Sequence, residues 1–273
     1  FCLGAYLTSF ITLLVLWAAQ KEGPFSHFGS DVKNIWKEGK TTLVLLVCIP
    51  VISFITDYSI HSNYGAKQLS RVVNSSINEW LQNSQQNFDV PPSLSYGPSR
   101  ENAKAIVSEF ADFMCGHCKH ASPSLSAFKK SHKDIRFEFY SFALDGECNA
   151  AVQRKSGIPC MLAKATYCAE KEGMGWGYHD LIFSIQNEVF KAGGLSATKE
   201  LLKTSVEKDP SLKWTDTIAE CIESEETQQA MLEQGALGDR VGVRGTPSIY
   251  MNGKKLPRGQ LLPVLQEAYR TIK

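Results

Sequence analysis

Two stretches near the start of the chain contain no charged residue. Residues 3–19 (LGAYLTSFITLLVLWAA) and 41–56 (TTLVLLVCIPVISFIT) are each close to the length of helix that crosses a bilayer. The second gains length if it continues past Asp57 to Ile60. Two charge-free runs this close together are rare in a soluble core, where the plain alternative is a pair of buried helices. Pro50 would kink the second helix, which membrane helices tolerate. Residues 1–60 are therefore expected to form two transmembrane helices. The connecting loop holds Lys21, Lys33, Lys37 and Lys40, whereas the nearest basic residues beyond the second run are Lys67 and Arg71. That lysine excess places the loop in the cytoplasm and both chain ends outside.

The pattern then changes. Over 66–86, Leu69, Val72 or Val73, Ile77 and Leu81 recur at helical spacing and predict a polar-faced helix. Residues 88–100, FDVPPSLSYGPSR, read as a Pro/Ser-rich linker that closes a 61–100 connecting region. KAIVSEFADF (104–113) has the β-branched and aromatic content of a strand, and IRFEFYSFAL (135–144) alternates through its first half. A helical segment over about 116–131 separates them, so the order strand–helix–strand predicts a parallel pair with a crossover helix. From about 150 to 242 the periodicity is helical, in pieces broken by Gly and Pro. TPSIYMNGKKL then predicts a hairpin turning at Asn252-Gly253, and GQLLPVLQEAYRTI a closing helix.

Composition narrows the function class. A net charge of +1 with 21% charged residues gives no sign of a nucleic-acid surface. Eight cysteines, several outside any metal-like cluster, favour an oxidising compartment. The chain opens on Phe1 with no basic n-region or small-residue cleavage site, so a fragment or processed product is expected rather than a signal peptide.

The chemistry concentrates in SEFADFMCGHCKHASPS (108–124). Cys115 follows the first strand and Cys118 falls in the first turn of the next helix, where unpaired N–H groups and the helix dipole stabilise a thiolate. His117 adds a donor or a positive charge beside it. Such a dithiol prefers its reduced form and so donates its disulfide, with a potential nearer roughly −120 to −180 mV than thioredoxin's roughly −270 mV. Zinc would need further ligands: His120 offers one, but no second Cys-x-x-Cys or His-x-x-x-His exists. No metal is expected. As a purely structural staple the pair would close too small a loop to matter.

Thr246-Pro247 leads into a strand, which makes that bond a candidate cis peptide. Together, the Cys-x-x-Cys at a strand–helix junction, the long helical stretch and Thr-Pro before a hairpin resemble the DsbA-like thioredoxin-fold oxidoreductases, over about residues 100–273. The expected fold is an α/β thioredoxin fold with a helical insertion, preceded by two transmembrane α-helices. The resemblance implies that Cys115 attacks and Cys118 resolves. It also implies that Pro247 is cis, packs on the disulfide and, with Thr246, presents backbone to a substrate strand. EFADFMCGHC is similar to the family's run from a buried acid to the active cysteine. Glu109 would then shuttle the proton of Cys118, an exposed strand glutamate being the alternative. Gly116 stands where DsbA has Pro, and Cys-Gly-His-Cys looks like the protein disulfide isomerase motif, which lowers the expected oxidising strength and leaves isomerase or reductase activity open. A tethered module holding thiol proteins or Cu(I) without turnover is a third reading.

Four further cysteines allow three pairings. Cys160 and Cys168 are eight apart on one helical run, about 12 Å by helix rise and too far to bond. Cys148–Cys160 and Cys168–Cys221 are the favoured pairs, with buried free thiols as the alternative. His179 in WGYHD reads as a packed helix histidine. FCLGAYLTSF resembles the start of the fourth transmembrane helix of bacterial vitamin K epoxide reductase homologues, often fused through one more helix and a linker to a thioredoxin-fold domain. That likeness implies that Cys2 is the second cysteine of a membrane Cys-x-x-Cys, with upstream helices outside this sequence and a quinone as electron acceptor. A broken Cys-x-x-Ala with Ala5 is the alternative. It also implies a bacterial inner-membrane protein whose redox domain faces the periplasm and acts on exported thiol proteins. Cys48, mid-membrane, reads as an inert apolar filler.

Overall fold

The computed structural model describes residues 49–56, 58 and 65–272. It divides the chain into two units, Phe1–Ser70 and Arg71–Lys273. In the first, a helical stretch over 49–56 exposes Ile49, Val51, Ile52, Phe54 and Ile55. Among the described residues no helix is long and apolar enough to cross a membrane. The expected span 3–19, residues 41–48 of the second span, Cys2 and Cys48 lie outside the described residues.

Helix α1 occupies 65–82, of which 71–82 belong to the second unit. Its buried face is Ile77 and Trp80, packed with Val107, Phe128, Ile249 and Leu265. The expected stripe is thus off by one residue at its end: Leu81 is exposed, as is Leu69. Trp80 wins the inward position because it buries more surface and its indole N–H reaches the Met251 carbonyl at 3.2 Å.

Residues 88–100 are more than a linker. Leu94–Tyr96 forms β1, antiparallel to β3 (Ile135–Ser141) with Leu94 opposite Phe139. β2 (Ala105–Ala111) pairs parallel with β3 along its whole length, joined by α2 (Gly116–Ser131). The order across the sheet is β1-β3-β2-β4-β5. Six helices form the insertion: α3 (Ile158–Lys171), α4 (Gly175–Ser184), α5 (Gln186–Val189), α6 (Leu195–Lys208), α7 (Asp216–Glu223) and α8 (Glu225–Arg240). β4 (Ser248–Met251) runs antiparallel to β2 and turns into β5 (Lys254–Lys255), after which α9 (Leu262–Thr271) closes the domain. Asn252 and Gly253 both have positive φ, at 50° and 75°, as a two-residue primed turn requires.

Both faces of the sheet are covered, which is why alternation fades in the central strands. Phe110, Tyr140 and Tyr250 pack with Phe88, Leu237 and Val241 on one side. Val107, Phe137, Ile249 and Met251 pack under α2 and α9 on the other. Glu109 lies opposite Phe139 and Ile249 in the central register, so it shares their face and points into the covered interior.

Candidate active site

Cys115 is the N-cap of α2: its sulfur accepts from the Cys118 N–H at 3.4 Å. As a thiol it donates to the Thr246 carbonyl at 3.3 Å, across from the cis Thr246–Pro247 bond. Cys115 is half-buried and Cys118 fully buried, and both are free. The Cys118 thiol is the main influence that brings Cys115 down to about 5; Thr246 and the N–H groups of Cys118 and His117 lower it further, against burial. Burial pushes Cys118 far up, and the Cys115 sulfur beside it adds to that. One sulfur is thus an accessible thiolate at neutral pH and its partner a protected thiol. The rings of His117 and His120 are exposed, and His117 contributes through its backbone.

Glu109 is 2% exposed, and burial pushes its carboxyl up to about 8 although Lys129 pulls the other way. The sequence reading did not single out Lys129, which α2 buries with its ammonium 3.0 Å from the centre of the Trp176 ring. Burial brings it down to about 8, while Asp180 and Glu109 hold it up. Its position was legible in principle: Cys118, Ser122, Leu125 and Lys129 fall on one helical stripe. Glu109, Ser122, Ser126, Lys129, Trp176 and His179 line one narrow cleft between the sheet, α2 and α4.

Two other residues were also missed. The Asp112 carboxylate accepts from Met114 N–H at 2.7 Å and Leu144 N–H at 2.9 Å, fixing the turn before Cys115. Burial raises it to about 6. Gln186, on α5, donates from Nε2 to the carbonyls of Phe113 (2.7 Å) and Cys115 (3.1 Å), so the insertion holds the backbone on which the nucleophile sits. Gln186 has no sequence signal, because it reaches backbone remote from its own element, and of the two Asp112 contacts only the one to Met114 is local in sequence.

The structure joins Cys148 to Cys160 and Cys168 to Cys221 as disulfides, tying the start of α3 to the loop after β3 and its end to α7. Among the described residues no group of three or more His, Cys, Asp or Glu is placed to hold a metal ion.

Residues 91–266 match the family model described as thioredoxin. The chain belongs to the thioredoxin family. The oxidised form of BdbD from Bacillus subtilis aligns with a TM-score of 0.52 over 69% of this chain and 95% of that one, at 20% identity. The thiol-disulfide exchange protein alpha-DsbA2 from Wolbachia pipientis gives 0.53 over 74% and 97%, at 18%. These likenesses establish a DsbA-like thioredoxin fold with its helical insertion. Among curated proteins, disulfide bond formation protein D of Bacillus subtilis is 23% identical over 171 residues, covering 60% of this chain and 71% of that protein. Na(+)/H(+) antiporter NhaA 3 of Salinispora tropica is 24% identical over 166 residues, covering 61% of this chain and 23% of the antiporter's length.

Proposed function

We propose that this thioredoxin-family protein is a thiol–disulfide oxidoreductase that gives its Cys115–Cys118 disulfide to exported proteins. The observation that carries this is the asymmetry of the two sulfurs: a half-exposed Cys115 held as thiolate at the α2 N-terminus over a buried Cys118. A substrate thiolate attacks Cys115 Sγ, the Cys115–Cys118 bond breaks, and Cys118 departs with the electron pair and takes a proton from Glu109. A second substrate thiolate then attacks the substrate sulfur of the mixed disulfide and releases Cys115 as thiolate. Two substrate cysteines are oxidised and the dithiol is reduced. Stabilising the Cys115 thiolate favours the reduced form, so donation is the favoured direction.

Two disulfides in the insertion support an extracytoplasmic location. The exposed apolar side chains of 49–56, with the charge-free run 3–19, support a membrane tether. The likeness of 1–60 to the vitamin K epoxide reductase homologues makes a quinone-linked membrane part the proposed route of reoxidation. Cys2, the residue that would serve it, lies outside the described residues.

The deciding experiment is the reduction potential, from glutathione equilibria, with C115S as the inactive control. A potential between roughly −120 and −180 mV is expected for a disulfide donor. A value near roughly −270 mV would reverse the direction of electron flow and make the protein a reductant.

A further inference from the structure

Asp112 lies in the turn between β2 and α2, shortly before Cys115, and its side chain is buried. It meets both cysteines through its backbone. Its carbonyl accepts the Cys115 N–H at 3.1 Å, and its own N–H favours the Cys118 thiolate against burial. Its carboxylate meets two further N–H groups, those of Met114 and Leu144. The turn that carries the dithiol is thereby fastened to the loop after β3. In that loop Asp145 is fully buried and accepts from the Glu147 N–H, the Ser156 N–H and the Ser156 hydroxyl.

Fixing such a turn does not need a charge. Asparagine closes the same kind of turn with its side-chain oxygen and stays neutral. Asp112 instead places a buried carboxylate in the turn of the nucleophile, held by backbone N–H groups. The charges that weigh on it, the Cys115 thiolate and the Asp145 carboxylate, are both negative. Like charges brought together away from water oppose one another more strongly than they would on the surface.

We propose that Asp112 tempers the oxidising power of the dithiol: its carboxylate, fixed in the turn that carries Cys115, opposes the thiolate that reduction creates there. It is a positioning residue that touches no substrate, and the inference rests on the exchange reaction above. When the disulfide is donated, two electrons pass from two substrate thiolates into the Cys115–Cys118 pair. Cys118 takes a proton and Cys115 remains a thiolate. The new negative charge raises the proton affinity of Asp112, which binds a further fraction of a proton from solvent. Reoxidation consumes the thiolate and releases that fraction. Linkage makes the two effects equal: the factor by which reduction tightens proton binding at Asp112 is the factor by which ionising Asp112 weakens the disulfide as a donor.

Burial raises the Asp112 carboxyl to about 6, Cys115 and Asp145 adding to the rise against the two N–H groups. The residue is therefore neutral well below pH 6 and charged well above it. The titratable groups facing it are Cys115 and Cys118 at the start of α2 and Asp145 from the loop after β3. Glu109 and Lys129 act on the dithiol from the cleft and titrate near 8 in wild type and variant alike, so they cancel in the comparison.

The test is the equilibrium of the full-length chain with glutathione from pH 5 to 8, for wild type and D112N. Asparagine offers only one acceptor oxygen, and the lost N–H contact shifts the ratio of the two exchange constants equally at every pH. The charge does not. From pH 5 to pH 8 the ratio should move toward D112N as the stronger disulfide donor by at least about fivefold, the low side of coupling between two sites. Should D112N fail to fold, carboxyl carbon NMR of the wild type decides, with Asp112 binding its proton about fivefold more tightly in the reduced than in the oxidised protein. A ratio constant across the range, or one Asp112 midpoint shared by both redox states, would overturn the inference alone. A wild type that exchanges with glutathione at no pH would remove the oxidoreductase reading and this inference with it.

Discussion

At the residue scale the site is a set of ionisable groups pushed away from their ordinary values, and Glu109 is the one whose shift reads most directly as stability. Its carboxyl ordinarily titrates near 4.5 and in the fold near 8, because burial disfavours the charge. Between those pH values the unfolded chain has released a proton that the folded chain retains. Stability attributable to Glu109 therefore falls as pH rises from about 4.5 to 8 and is level outside that window. E109Q removes the slope. It should stabilise the fold at pH 8 by a few kcal/mol, at about 1.4 kcal/mol per pKa unit, and leave it unchanged at pH 4. Urea unfolding at the two pH values checks this, and an equal effect at both would mean that Glu109 is not protonated in the fold. Lys129 adds little slope between the two pH values, since the cost of burying its charge is present in full below about 8 and is relieved only as pH rises from there to its ordinary 10.5. Cys115, Cys118 and Glu109 could be picked out in the sequence because strand, dithiol and helix follow one another without a break. Asp112, Gln186 and the pairing of Lys129 with Trp176 depend on backbone and ring surfaces brought together from far along the chain.

At the element scale, the central strands are covered on both faces, although the first half of β3 alternates apolar and polar residues. The clearest consequence is Glu138 on β3, whose side chain is 0% exposed yet lies among Arg100, Arg136 and Tyr140. Arg100 holds it with two hydrogen bonds of 2.7 and 2.8 Å, and Arg136 adds one of 2.7 Å. Burial would raise this carboxyl, but the two guanidinium groups hold it below the usual range. Its contribution is therefore present above the ordinary carboxylate pKa and lost as pH falls through the depressed folded value. E138A should cost about 3 kcal/mol at pH 7, the low end for breaking a buried pair because both arginines keep some exposure. The gap between variant and wild type should narrow in acid. A constant gap down to pH 2 would show that volume rather than charge accounts for the loss. Arg100 also reaches the Phe88 carbonyl at 2.9 Å, which helps explain why 88–100 is ordered. A Pro/Ser-rich composition marks a stretch poor in regular hydrogen bonds, but it does not show that Leu94 is fully buried or that Trp176 donates to the Ser95 carbonyl.

Across the whole molecule, the second unit depends on α3, which both disulfides anchor. Its two ends are fixed by loops of very different length: Cys148–Cys160 spans 12 residues and Cys168–Cys221 spans 53. If a cross-link acts mainly by restricting the unfolded chain, the longer loop contributes more, about 4 kcal/mol against about 3. The fold itself predicts the same order for a second reason. The longer link ties α3 to α7, and Cys168, Ile218 and Ile222 lie in the cluster that also holds Phe113, Cys118 and His179's neighbour Phe183. Loosening α7 therefore slackens the wall of the active-site cleft, whereas the shorter link fastens a loop over a smaller separate cluster. C168A/C221A should accordingly lower the unfolding midpoint more than C148A/C160A, and it alone should make Cys118 reactive toward a thiol probe under native conditions. Denaturant melts and native-state alkylation followed by mass spectrometry measure the two effects on the same samples. Should the shorter bridge prove the more costly, or Cys118 stay protected in both variants, the link from insertion to dithiol would have to run through Gln186 and not through the helix staple. An insertion whose stability depends on both bridges would also be poorly sustained in a thiol-reducing compartment, which is the physical support for the extracytoplasmic location proposed above.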